Sequence, residues 1–134
     1  MSEKKKLTVL IADDEAHIRL MLKTIMKSMN TDVVGEAKNG SEAVEIYKNQ
    51  KPDISLFDIN MPVMTGLDAL QEIIKEYPDA FIIMMTSVAN AETVEKCIEC
   101  GASGYILKDT PLQEMKEMIK EAWKEYKTNR SSNG

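Results

Sequence analysis

The sequence sets polar, reactive side chains at the ends of short apolar runs. Asp13, Asp14 and Glu15 follow Leu7-Thr8-Val9-Leu10-Ile11-Ala12, and Asp58 follows Ile54-Ser55-Leu56-Phe57. Thr86 and Ser87 follow Phe81-Ile82-Ile83-Met84-Met85, and Lys108 follows Tyr105-Ile106-Leu107. Brought together, these supply at least three carboxylates, a hydroxyl and an ammonium. Carboxylates at close range repel one another unless a cation sits among them. A hard divalent ion meets that need. Magnesium fits best, since it takes one or two carboxylates plus water and phosphoryl oxygens. Lys108 adds a second positive charge, and Thr86 adds a hydroxyl donor. The set suits phosphoryl transfer to a carboxylate, with Asp58 as nucleophile. Mg2+ and Lys108 would stabilise charge on the equatorial oxygens of the transferring group. No general base is needed, because a carboxylate is already ionised at neutral pH.

Singly, each residue also has an ordinary role. Asp14 would cap the helix that follows, Thr86 would serve a turn, Asp58 would end a strand, and Lys108 would lie on the surface. Their joint placement at strand ends speaks for a site, provided that the fold brings those ends together. The pattern of elements does so. The apolar runs above, with Asp32-Val33-Val34-Gly35-Glu36, have the length and composition of strands buried on both faces. Between them, Ile18, Leu22, Ile25, Met26 and Met29 keep the spacing of one helix face. So do Leu67, Leu70, Ile74 and Tyr77, and again Leu112, Met115, Ile119, Ala122 and Tyr126. Ser41 to Gln50 and Ala91 to Cys100 predict two shorter helices. Gly101 stands where a helix C-cap glycine belongs, and Pro78 follows the end of the third helix. A β-α unit repeated five times implies a parallel sheet covered by helices on both faces. In such sheets the site lies at the carboxyl ends of the strands.

Composition sets the outer bounds. At 134 residues the chain suits one domain. A formal net charge of -5 argues against direct, non-specific binding to nucleic acid. No apolar run approaches membrane-spanning length, and the charged N-terminus is unlike a signal peptide, so the protein is read as cytoplasmic with no membrane partner. Cys97 and Cys100 are expected to be two reduced, partly buried thiols: a zinc site needs about four ligands, and the single histidine, His17, is far away in sequence. The first helix has apolar residues beyond its main stripe, Leu20 and Met21. These read either as a broad buried face or as a docking surface for a partner's helices. His17 is expected at the surface.

At these positions the sequence resembles the receiver domains of two-component response regulators, including the chemotaxis regulator. The matching pieces are Val9 to Glu15, Asp58-Ile59-Asn60-Met61-Pro62-Val63-Met64-Thr65-Gly66, Met85-Thr86-Ser87 and Gly101 to Lys108, within a likeness that runs from about Lys6 to Tyr126. The resemblance implies an α/β, flavodoxin-like (βα)5 doubly wound sandwich with parallel sheet order 2-1-3-4-5. It implies that Asp58 is the phosphoacceptor, that Asp14 binds Mg2+ directly and Asp13 mainly through water, and that the Asn60 backbone carbonyl is a further ligand. Thr86 and Lys108 would bind phosphoryl oxygens. Tyr105 matches the aromatic switch position, whose ring turns inward as Thr86 moves. The phosphodonor would be a phosphohistidine on a histidine kinase or a histidine phosphotransfer domain. A downstream effector would read the surface formed by the fourth helix, fifth strand and fifth helix. Such a protein is a signalling switch, not an enzyme with turnover, and is a monomer or a weak phosphorylation-dependent dimer. Residues 1–127 would form the receiver domain, and 128–134 a polar, disordered tail. The chain is read as a stand-alone domain rather than an excised one.

The sequence departs from many receivers after Lys108, where Asp109 stands in place of proline. A non-proline cis peptide would cost about 3 kcal/mol, so the Lys108–Asp109 bond is expected to be trans. Asn60 and Val88 would flank the path of a water attacking the phosphoryl group, and an apolar Val88 would not orient it. Three other readings are weaker. A flavin module would need a hydroxyl- or glycine-rich phosphate loop after the first strand, where Asp13-Asp14-Glu15 stands. An aspartyl-phosphate hydrolase would have a second aspartate two residues after the nucleophile, where Asn60 stands. A module that no longer uses phosphate would not need the full set of site residues.

Overall fold

The computed structural model describes residues 6–133 apart from 89, with side chains to 129. Its elements alternate: β1 (Thr8–Ala12), α1 (Ala16–Ser28), β2 (Asp32–Ala37), α2 (Gly40–Gln50), β3 (Ile54–Asp58), α3 (Gly66–Glu76), β4 (Ile82–Thr86), α4 (Ala91–Glu99), β5 (Gly104–Leu107) and α5 (Leu112–Asn133). The five strands form one parallel sheet in the order β2-β1-β3-β4-β5. This is the flavodoxin-like order expected from the sequence.

The strand alternation builds two cores. Leu10, Ala12, Phe57, Ile82 and Met84 face one side and pack with Ala43, Tyr47, Leu70, Ile73 and Cys97 of α2, α3 and α4. Val9, Ile11, Leu56, Ile83 and Met85 face the other and pack with Leu22, Ile25 and Met26 of α1 and Met115 and Ile119 of α5. Each fully buried aliphatic side chain contributes about 1.5–3 kcal/mol. Asn39, Thr65 and Asn90 cap α2, α3 and α4 through side-chain oxygens that accept backbone N–H groups. Gly101 takes φ 103 after α4, the left-handed geometry expected of a helix-ending glycine.

Several expectations shift. β2 is an edge strand met by α2 on one face and α1 on the other, but only Ala37 in it is buried, so its burial is less complete than expected. On α3 Leu70 is fully buried as expected, but Ile73 is buried where the spacing predicts Ile74, and Ile74 is only partly so, because the face that meets the sheet is centred on Ala69, Leu70 and Ile73. Leu112 opens α5 half exposed, one turn before the packed stripe begins. On α1, Met21 packs against the core, but Leu20 is 60% exposed, which removes it from a broad buried face. His17 is exposed. Cys97 and Cys100 are free thiols, the first buried and the second partly so. Helix α5 continues through 128–133, where the sequence predicts an irregular tail. Thr, Asn, Arg and Ser each cost only a few tenths of a kcal/mol in a helix, and no proline or glycine intervenes before Gly134. Among the described residues no peptide bond is cis, in keeping with the trans bond expected before Asp109. No helix among them is long and apolar enough to cross a membrane.

Candidate functional site

Strand register brings the polar strand ends level. Ala12 of β1 pairs with Phe57 of β3, so the residues that follow, Asp13 and Asp58, emerge side by side at the carboxyl edge of the sheet. Asp58 pairs with Met85 of β4, and Thr86 with Leu107 of β5, which sets Lys108 beside Thr86. A hydrogen bond from Lys108 N to the Thr86 carbonyl (2.8 Å) fixes that register. Asp58 and Thr86 are the last residues of their strands and not the first of their loops, so rigid backbone holds both.

The expected carboxylates meet. Asp13, Asp14 and Asp58 each offer an oxygen within 4.8 Å of the others, with Asp13 and Asp58 buried and Asp14 exposed. The Lys108 ammonium enters this cluster with a nearly buried side chain. Its Nζ lies 2.6 Å from Asp13 Oδ2, 3.3 Å from Asp58 Oδ1 and 3.8 Å from Glu15 Oε1. Burial alone would push the ammonium down, but Asp13 and Asp58 outweigh it and hold Lys108 above the ordinary lysine value. Burial, and then the neighbouring charge of Asp13, push the Asp58 carboxyl up to about 6, against the opposing pull of Lys108 and the Asn60 N–H.

A divalent cation fits this donor set. Three carboxylates face one ammonium, so negative charge is in excess. Asp13 Oδ1 accepts from Glu15 N (2.9 Å), whereas Asp13 Oδ2 is a buried oxygen that, among the described residues, meets no hydrogen-bond donor of acceptable geometry and is ion-paired with Lys108. Hard oxygens in this number suit Mg2+.

The remaining expected residues have clear places. Asn60 N–H donates to Asp58 Oδ1 at 3.4 Å, with Asn60 itself exposed in the loop after β3. Thr86 is buried, and its Oγ1 accepts from Val88 N at 3.4 Å. The Tyr105 hydroxyl donates to the Val88 carbonyl at 3.1 Å. Thr86 and Tyr105 therefore grip opposite ends of one loop residue, a link that their spacing in sequence does not reveal. Val88 itself is 65% exposed.

Sequence reasoning missed three contributors. A Cβ on Gly66 would stand 1.9 Å from the Asp58 carbonyl oxygen, so only glycine lets α3 begin this close to the end of β3. Gly66 was legible as part of a motif but not as a steric requirement. Val63 has φ 68 and is almost fully exposed, between Pro62 and Met64, whose N–H donates to the Pro62 carbonyl (2.7 Å). Arg19 of α1 reaches the Asp13 carbonyl at 2.8 Å and Glu36 of β2 at 3.3 Å. A contact from a side chain to a distant backbone group leaves no periodic signal.

Residues 9–120 match the family model of the response regulator receiver domain. The chain is 48% identical over 100 residues to the chemotaxis protein CheY of Thermotoga maritima, covering 75% of this chain and 83% of that one. It is 40% identical over 118 residues to CheY of Listeria monocytogenes, covering 88% of this chain and 99% of that one. In three dimensions it is similar to a chain of the CheX–CheY–BeF3–Mg2+ complex of Borrelia burgdorferi, with a TM-score of 0.86 and 29% identity over 89% of this chain and 90% of that one.

Proposed function

The chain belongs to the response-regulator receiver family of two-component signalling, and from that premise we propose that Asp58 accepts a phosphoryl group from a phosphohistidine. The donor would be a histidine kinase or a histidine phosphotransfer domain. The observation that carries this reading is the setting of Asp58: its carboxylate is clustered with those of Asp13 and Asp14, and Lys108 Nζ is 3.3 Å from its Oδ1. A carboxylate so placed is a nucleophile with a cation site beside it.

In the step itself a carboxylate oxygen of Asp58 attacks phosphorus. The phosphorus–nitrogen bond breaks, and its electron pair goes to the imidazole nitrogen. Asp13, Asp14, Asp58 and the Asn60 carbonyl would hold Mg2+, which supplies charge neutralisation for the carboxylates and the phosphoryl oxygens. Lys108 contributes the second cation from a fixed position. Thr86 donates its hydroxyl to a phosphoryl oxygen and gives up its hold on Val88 N. Because Val88 also holds the Tyr105 hydroxyl, that change passes to Tyr105 and shifts the population of the α4-β5-α5 surface. A downstream effector protein reads that surface. The protein acts in the cytoplasm as a switch that catalyses only its own phosphorylation and dephosphorylation, without direct contact to nucleic acid.

Borohydride reduces an acyl phosphate to an alcohol. The chain treated with phosphoimidazole and Mg2+, then reduced, is expected to carry homoserine at position 58 by peptide mass. Reduction products at another carboxylate, or none, would contradict the assignment.

A further inference from the structure

Arg19 contacts no carboxylate of the site, yet its side chain is only 14% exposed and ends in two charged hydrogen bonds. Nη1 donates to the Asp13 backbone carbonyl (2.8 Å), and Nε donates to Glu36 Oε1 (3.3 Å). The other Glu36 oxygen lies 3.0 Å from Lys23 Nζ. Asp13 N–H donates to the Ala37 carbonyl of β2 (3.0 Å). Both backbone groups of Asp13 are thus tied to β2, the N–H directly and the carbonyl through Arg19 and Glu36.

The Asp13 carbonyl belongs to the planar peptide that joins Asp13 to Asp14. Whatever fixes that plane also fixes where the Asp14 carboxylate starts. A charge-assisted bond from a rigid guanidinium is suited to the task, because the fork holds its two acceptors at a set angle to one another. Glu36 has a second effect. A guanidinium without this partner would turn to the nearby carboxylates and compete there with a cation. The hydrogen bond from Lys23, then the Lys23 charge and the hydrogen bond and charge of Arg19, outweigh burial and keep Glu36 below the ordinary carboxylate range, so the anchor stays ionised at neutral pH.

We propose that Arg19 is a positioning residue for the cation site: with Glu36 as its anchor, it holds the Asp13–Asp14 peptide so that the two carboxylates converge with Asp58 on a divalent ion. This rests on the reading that the acidic cluster binds Mg2+, and adds the device that shapes it.

The test is Mg2+ affinity by isothermal titration calorimetry on the full chain, with thermal unfolding of each variant in EDTA. Arg19→Ala is expected to weaken Mg2+ binding about 10-fold, the scale on which outer supporting groups act. The sign discriminates, since loss of a cation beside carboxylates would by charge alone tighten binding. Arg19→Lys keeps the charge but not the fork, and is expected to bind Mg2+ no better than midway between parent and Arg19→Ala. Arg19→Ala combined with Glu36→Gln is expected to be no weaker than Arg19→Ala alone. Three results would overturn the proposal: unchanged or tighter binding in Arg19→Ala, a lower melting temperature being then its only effect; parental affinity in Arg19→Lys; or additive losses in the double variant. Failure of the underlying reading shows differently, as a parent chain that binds no Mg2+, and the proposal falls with it.

Discussion

The Lys108 ammonium lies closer to Asp13 than to the proposed phosphoacceptor, 2.6 Å from Asp13 Oδ2 against 3.3 Å from Asp58 Oδ1. One cation is divided between two buried carboxylates. Lys108 therefore stores positive charge next to Asp58 without neutralising it fully. In the proposed reaction, once the charge of Asp13 is offset from elsewhere, Lys108 would turn to the new anionic oxygens on Asp58.

Burial of Asp58, with the charge of Asp13 beside it, has a cost that Lys108 only partly offsets and that is measurable in the protein without metal. The Asp58 carboxyl is pushed from 3.8 to about 6, so between these values the folded chain binds a proton more readily than the unfolded chain. Its contribution to stability is full below pH 3.8 and is lost as pH rises through about 6. At pH 7 in EDTA, Asp58→Asn is expected to be more stable than the parent, by up to about 3 kcal/mol. Added Mg2+ should narrow the gap. Urea midpoints of both proteins across this pH range check the sign, and parallel curves would contradict it.

Gly66 should tolerate no side chain. A methyl group there meets the Asp58 carbonyl oxygen at 1.9 Å, so β3 or α3 must move. Gly66→Ala is expected to lose about 1–3 kcal/mol by urea unfolding, as overpacked sites do, and to slow phosphorylation of the protein that remains folded. A variant with parental stability and rate would contradict so close an approach of α3 to the Asp58 carbonyl.

Val63 works in the opposite direction. It holds φ 68, which costs a non-glycine residue roughly 1–2 kcal/mol, and it is 85% exposed, so it gains no packing in return. Asparagine visits that conformation more readily, and Val63→Asn is expected to stabilise the protein by about 1 kcal/mol. A drop in the urea midpoint would instead assign Val63 a contact that the fold does not show.

Val88 would bear on the lifetime of a phosphoryl group on Asp58. Its apolar, exposed side chain offers nothing to orient an attacking water. In Val88→Glu a carboxylate takes up that role, and loss of phosphoryl mass is expected to quicken severalfold. A variant that loses the group no faster than the parent would count against this.

The architecture was legible because it rests on pattern. Five apolar runs alternating with helical stripes leave few arrangements other than a parallel sheet, and the sheet places Asp13, Asp58, Thr86 and Lys108 on one edge. What the pattern misses is set by geometry in three dimensions. Ile73 and Ile74 are equally apolar, and only the rotation of α3 against the sheet decides that Ile73 is buried. Leu20 and Met21 both lie off the main stripe of α1, and only the packing decides that Met21 meets the core while Leu20 stays exposed. The α5 extension past Lys127 turns on weak propensities that composition reads as disorder. Arg19 on the Asp13 carbonyl and Tyr105 on the Val88 carbonyl bind backbone atoms, which no residue-type motif records.

Intact mass after incubation with Mg2+ and acetyl phosphate tests the central claim most directly. The parent is expected to gain one phosphoryl group, and to gain none in EDTA or as Asp58→Asn. A parent that gains nothing with Mg2+ present, or an Asp58→Asn protein that gains the group as readily as the parent, would contradict the assignment of Asp58 as the acceptor.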